Sequence, residues 1–200
     1  MAKNKLTEDS IFDSFQKLRR DANVPLDSFE WFRKTINENI RVSKVQHLRD
    51  QIVSDPTRNS KRRLFEGFLY FFFYNEPEYK TTLPFYDTFP LVLLLSRERS
   101  SFFGINFHYI PPKRRLFMFM QLQKYRQNNR IMLPYSKMIK DKKWKIFKSC
   151  FRQYNIKRIQ GNCINIPAED WPIAINLPVE RFKKVGKKAI WSNTLTEEMS

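Results

Sequence analysis

Glycine is scarce in this chain: four residues among 200, at positions 67, 104, 161 and 186. No two of them make a Gly-x-Gly, so a phosphate-cradling loop is excluded, and no Gly-x-Ser-x-Gly elbow is available to present a nucleophilic serine. Cysteine and histidine are equally thin. Cys150 and Cys163 stand far from His47 and His108 in sequence, which is not the close four-ligand spacing of a zinc site, so the two cysteines read as buried thiols. Long apolar runs are also missing. The richest stretches, Phe68 to Tyr74 and Pro90 to Leu95, are strand-length and argue against a membrane span. The basic start Met1-Ala-Lys-Asn-Lys5 leads into Thr7-Glu8-Asp9 rather than an apolar core, unlike a secretory signal, so folding in the cytosol is expected.

What the chain does have is aromatic mass and positive charge. Hydrophobic residues make up 42% and aromatics 16%, with 19 Phe and 8 Tyr, enough apolar surface to fold one compact domain despite a net charge of +17. The charge is concentrated. Residues 111–160 carry 15 basic and 1 acidic side chains, whereas residues 1–60 carry 11 and 9, residues 61–110 carry 6 and 5, and residues 161–200 carry 5 and 5. A merely solvated surface mixes both signs, because like charges one turn apart repel. Such an excess in a folded segment points to an anionic partner, with nucleic acid the first candidate and an anionic membrane surface the second.

Helical spacing dominates the first sixty residues. Ile11, Phe12, Phe15 and Leu18 follow the capping candidates Thr7 to Ser10; Phe29, Phe32, Ile36 and Ile40 follow Pro25-Leu-Asp-Ser28; Val42, Val45, Leu48 and Ile52 make a weaker third segment. Residues 55–63, with a Pro and a basic triplet, read as a linker. Three strands are then expected, at Phe68–Tyr74, Phe89–Leu95 and Phe103–Ile110, joined as an antiparallel meander that could curl like a small barrel, with a hairpin connection at Ser96–Ser101. Pro111-Pro112 opens a helix with Leu116, Phe119, Met120 and Leu122 inward and Lys113, Arg114, Arg115 and Lys124 outward. A second basic helix fits Asp141 to Tyr154, where Phe147, Cys150, Phe151 and Tyr154 form one stripe and Lys145, Lys148 and Arg152 another. One or two short strands fit Ile156 to Ile166, a helix starts at Pro167-Ala-Glu-Asp170, a last short helix fits Pro178 to Lys188, and Thr194 to Ser200 is a polar tail. The expected fold class is α+β: an N-terminal helical region (1–60), a core (61–192) with a small antiparallel sheet flanked by basic helices, and a polar tail (193–200).

Catalysis has little to work with. Asp87 and Glu98 faintly resemble a metal-dependent nuclease pair, but Glu98 lies between Arg97 and Arg99 and the clustered carboxylates of a cation site are lacking. Glu169-Asp170 suits a helix-capping role, which the dipole favours for acids. On an alternating strand Asn106 and His108 share a face, which fits a hydrogen-bonded pair bridging to a loop. The basic segment is the stronger signal. Lys113, Arg114, Arg115, Lys140, Lys142, Lys143, Lys145, Lys148, Arg152, Lys157 and Arg158 are the candidate phosphate contacts, since lysine and arginine release condensed counterions from DNA. Tyr135, Trp144 and Tyr154 interleave with them and could stack on bases, although core packing is the commoner role for such rings. No cofactor, metal or small-molecule substrate is called for.

Two blocks carry a resemblance: Leu83-Pro-Phe-Tyr-Asp87-Thr-Phe-Pro-Leu91 and Phe103-Gly-Ile-Asn-Phe-His108-Tyr-Ile-Pro-Pro112. Together with Trp171-Pro-Ile-Ala174, Pro178-Val-Glu-Arg-Phe182 and Trp191, they resemble the DNA end protector proteins of T4-like tailed bacteriophages over roughly residues 64 to 192. The resemblance implies a virion protein, made in the host bacterial cytoplasm, that sits on the ends of the packaged linear double-stranded genome and shields them from host exonuclease. It implies no catalysis and no transferable site residues, and it admits phage head, portal or neck proteins as further partners. Two alternatives stay open: a structural connector of the head, neck or tail whose basic segment meets an acidic protein surface, and a small head-completion nuclease built on Asp87 and Glu98.

Overall fold

A computed structural model describes residues 10–40, 45–55, 64–141, 144 and 148–192. Three helices open the chain, α1 (Ile11–Asp21), α2 (Phe29–Asn39) and α3 (Val45–Ser54). Each buries one stripe: Phe12 and Phe15 in α1, Phe32 and Ile36 in α2, Leu48 and Ile52 in α3, all at three- or four-residue spacing. Arg19 and Arg20 occupy the last turn of α1, where cations suit the dipole, and Asn23 at φ 52° reverses the chain after it.

The centre of the fold is a five-stranded antiparallel sheet in the order β7-β4-β3-β1-β8, with β1 (Leu69–Tyr74), β3 (Leu91–Arg97), β4 (Ser101–Asn106), β7 (Phe151–Asn155) and β8 (Ile159–Ile166). The three expected strands form its middle as a meander, with Leu69 opposite Leu93 and Val92 opposite Asn106, and the sheet stays open. Its two faces feed two apolar clusters. Leu69, Phe71, Leu91 and Leu93 join the helices in the larger one, whereas Tyr70, Phe72, Tyr74, Val92 and Leu94 join Phe102, Tyr154 and Cys163 in the smaller. Burial on both faces explains the unbroken aromatic run of β1. Gly104 belongs to the middle of this sheet: a Cβ there would lie 2.4 Å from Val92 Cγ1 and 2.6 Å from the Leu93 carbonyl, so β3 and β4 approach only because the side chain is missing.

Helix α4 (Tyr79–Thr82) and strand β2 (Tyr86–Asp87) fill the β1–β3 connection, and β2 pairs with the late strand β9 (Phe182–Lys183). Helix α5 (Pro112–Gln123) follows β4 after a 3-10 turn at Phe107–Tyr109. A ribbon of β5 (Arg126–Gln127) and β6 (Arg130–Ile131) comes next, then α6 (Tyr135–Lys140). After β8, a 3-10 turn at Ala168–Asp170 leads into α7 (Trp171–Ala174), and residues 187–192 form a short helix. The N-terminal helices share the larger core cluster, and polar contacts tie them to the C-terminal part. Gln16 Nε2 donates to Asp170 Oδ1 at 2.9 Å, and Arg49 donates to the carbonyls of Val179 and Glu180. Among the described residues no helix is long and apolar enough to cross a membrane.

Four expectations need correction. The helix placed at Asp141 to Tyr154 does not reach its expected end, because Phe151–Asn155 is the edge strand β7, registered against β4 from Ile105 to Ser101, while residues 142–143 and 145–147 of that stretch lie outside the described residues. In α5 Leu116, Phe119 and Leu122 are inward as expected, together with Met118 and Arg115, whereas Met120 faces out at 50% exposure. Asp170 sits at the start of α7 without a side-chain cap bond, its carboxylate accepting from Gln16 instead. The last helix lies at 187–192, and β9 occupies the stretch before it. Most of the linker stretch (56–63) and the tail (193–200) lie outside the described residues.

Candidate nucleic-acid interface

The motif block is an internal brace. Asp87 Oδ1 accepts from the backbone amides of Phe89 (3.0 Å) and Arg181 (3.3 Å), and Oδ2 lies 2.7 Å from His108 Nδ1 and 3.3 Å from Asn106 Nδ2. Asn106 also donates to the Tyr154 hydroxyl at 3.0 Å and accepts from the His108 amide. Asp87, Asn106 and His108 are all buried, and Asn106 and His108 are the hydrogen-bonded pair expected of them, but the expected strand ends at Asn106, His108 lies on the following 3-10 turn, and the bridge runs to Asp87 in strand β2 rather than to a loop. With four donors around it, the Asp87 carboxylate is spent on structure. Glu98 is exposed in the β3–β4 turn, where it accepts from Ser101 Oγ at 2.6 Å. Since Asp87 contacts Asn106 at the far end of β4, the strand separates the two acids by roughly 15–20 Å, and they share no cation site. No group of three or more His, Cys, Asp or Glu among the described residues could hold a metal ion.

A second buried network sits beside the first. Arg115 donates to the carbonyls of Ile110 (2.8 Å) and Ile175 (3.2 Å) and forms a short ion pair with Glu180, which Lys187 Nζ also meets at 2.7 Å. Burial alone pushes the Glu180 carboxyl up, but Arg115, His108 and Lys187 outweigh it and hold the group at about 2. Trp191 Nε1 donates to the His108 carbonyl at 2.9 Å, and the Arg115 guanidinium lies 5.6 Å from the Trp191 ring. Thus the C-terminal motif residues Glu180 and Trp191 converge on the Asn106–Arg115 stretch. Both cysteines are buried, and burial pushes the Cys163 thiol up to about 12.

Around this interior the expected phosphate contacts are divided between two ends of the sheet. Lys113 and Arg114 are exposed where α5 begins, Lys148 is exposed just before β7, and both places lie at the Asn106 end of β4 because β7 runs antiparallel to it. Lys157 and Arg158 are exposed in the 3-10 turn Ile156–Arg158 at the opposite, Ser101 end, where Ile156 N donates to the Ser100 carbonyl. Arg158 Nε stands 3.4 Å from Glu76. Lys140 is exposed at the end of α6. Arg152 is half-buried with its guanidinium 4.3 Å from the centre of the Tyr109 ring. Arg115, expected on the surface, is 1% exposed and committed to Glu180. Lys142, Lys143 and Lys145 lie outside the described residues.

Sequence reading omitted four exposed cations of the same segment from the contact set: Lys124, Arg126, Arg130 and Lys137. Arg126 and Arg130 flank the Asn128-Asn129 turn of the β5–β6 ribbon, with Asn128 at φ 53°, and that Asn pair between short polar stretches was the available signal. The interleaved aromatics pack rather than present their faces. Trp144 is 1% and Tyr154 3% exposed, and Tyr135 stacks on Phe103 with ring centres 5.0 Å apart.

A family model described as Phage T4 terminal DNA protecting protein matches residues 9–197. The match takes in α1 to α3, which the residue-by-residue resemblance had left out. Comparisons with curated proteins and with solved structures gave no match.

Proposed function

The chain belongs to the phage T4 terminal DNA protecting protein family, and from that membership we propose that it caps the two ends of the packaged linear double-stranded genome. It acts as a virion protein made in the host cytoplasm, and it keeps host exonuclease off the termini by occupancy rather than by chemistry. The observation that carries the reading is the charge pattern. Fifteen cations and one acid fall in residues 111–160, and Lys113, Arg114, Lys124, Arg126, Arg130, Lys137, Lys140 and Lys148 of that stretch are exposed. Contacts to backbone phosphate need no base readout, as suits a protein that must hold a terminus whatever its sequence. The interior favours a passive role: Asp87 is saturated with donors and remote from Glu98, which leaves the nuclease alternative without its paired carboxylates. Head, portal or neck proteins are the further partners of such a cap.

Protection is measured by challenging an end-labelled linear duplex with a double-strand exonuclease, with and without the protein, while an internal restriction site reports general coverage. The reading expects the terminal label to survive at protein concentrations that leave the internal site open to cutting. Loss of the label at the unprotected rate would overturn it.

A further inference from the structure

One helix face carries an arrangement that charge alone does not explain. On α5 the outward residues Lys113, Phe117, Met120 and Lys124 follow one another at spacings of four, three and four, which places them in a single stripe. Phe117 is 53% and Met120 50% exposed, the two most exposed large hydrophobics of the described chain. They occupy the middle of the stripe and the lysines its ends, and the helix contains no acidic residue. Met120 also borders a groove shared with Leu26, which is 47% exposed, so the apolar surface continues sideways from the helix. Asp27, Glu169 and Arg126 line that groove, two acids against one cation, whereas the lysine ends of the stripe carry positive charge alone and are the places for a polyanion.

Internal duplex DNA offers such a stripe no partner for its apolar middle, because every base pair is covered by its neighbours. A duplex terminus does: the last base pair exposes one flat apolar face, bounded on either side by the phosphates of the two strands. From Lys113 to Lys124 the helix axis advances about 16 Å at 1.5 Å per residue, and two long lysine side chains extend that reach to the scale of a duplex measured from strand to strand. Resting on the end-capping reading above, we propose that the Phe117–Met120 face of α5 stacks on the terminal base pair while Lys113 and Lys124 take the flanking phosphates. This face then supplies the preference for an end over an interior site. The other exposed cations supply affinity for either. The packed rings Trp144, Tyr154 and Tyr135 take no part.

The test compares a blunt duplex with the same duplex closed at both ends by single-stranded loops, titrated with wild type, the F117S/M120S double variant and F117W. Both residues are about half exposed, so thermal melting of the double variant should stay close to that of wild type, and this is checked first. Aromatic stacking on one base corresponds to roughly ten-fold in affinity. Wild type should prefer the open duplex, F117S/M120S should lose about ten-fold on it and nothing on the closed one, and F117W should keep the preference. If wild type prefers the open duplex and the double variant does so equally, the stacking assignment fails while end capping stands. If wild type shows no preference, end capping fails and the assignment with it. If the double variant weakens both ligands alike, or turns a self-associating protein into a monomer with the end preference intact, the face serves general binding or a protein contact and the assignment is wrong.

Discussion

Replacing Arg115 with Ala should cost stability rather than DNA contacts, although the residue lies in the most cationic part of the chain. Its guanidinium is 1% exposed and bonds the carbonyls of Ile110 and Ile175 together with the Glu180 carboxylate. Removing it leaves Glu180 buried with Lys187 as its remaining ion-pair contact, a kind of loss that costs about 3–5 kcal/mol. The carboxyl agrees in direction: against the burial that raises it, Arg115 is the largest of the cationic influences that hold Glu180 at about 2, below its ordinary 4.5. The sign follows from a folded-state value lowered below the unfolded one. This stabilisation is fully present above about 4.5 and is lost as pH falls from there toward about 2. Urea unfolding followed by tryptophan fluorescence at pH 7, 4.5 and 3 should show R115A weaker by about 3–5 kcal/mol at pH 7, equivalent to melting roughly 6–20 °C lower. The gap should narrow as the pH drops and wild type loses the same interaction. Folded R115A should bind DNA no worse than K113A does. Stability within about 1 kcal/mol of wild type, accompanied by a large loss of DNA affinity, would refute the internal role.

Further outcomes follow from the same geometry. Gly104→Ala should destabilise the sheet by about 2 kcal/mol or more, because the new Cβ meets Val92 and the Leu93 backbone, whereas Gly186→Ala, with nothing within 4 Å, should stay within about 0.5 kcal/mol in the same melts. Asp87→Ala removes an acceptor for four donors and should cost roughly 2–4 kcal/mol of stability without changing DNA integrity in magnesium; cleavage by wild type that D87A abolishes would restore the nuclease alternative. Cys163, buried and held near 12, should react with a maleimide at pH 8 only at the rate of unfolding, which mass spectrometry of native and urea-treated protein measures.

The parts of the fold legible beforehand were those in which a single period dominates. Phe12, Phe15, Phe32 and Ile36 repeat at helical spacing, with Leu48 and Ile52 a weaker instance, and the β1 and β3 runs combine strand length with aromatic and branched residues that favour buried strands. Residues 148–155 misled because Lys148, Phe151, Arg152 and Tyr154 satisfy helical spacing as readily as the alternation of an edge strand, and only pairing with β4 decides between them. Arg115 misled for a different reason. Its position three and four residues before Met118 and Phe119, and seven before Leu122, already placed it on the inward stripe, but a guanidinium is read as solvent-facing until a buried acid is known to meet it. Glu180 is 65 residues away, and no local pattern announces that contact. The candidate interface was legible in composition and not in shape: the charge excess stood in the sequence, whereas the division of its cations between two ends of a sheet depends on the antiparallel course of β7.

Binding to a blunt-ended linear DNA and to a closed circle of the same length, across a salt series and with chelator present, tests end capping by backbone charge most directly. The account predicts tighter binding to the linear form, with affinity falling steeply as salt rises and no need for divalent metal. Equal binding to both forms, or none to either, would contradict it.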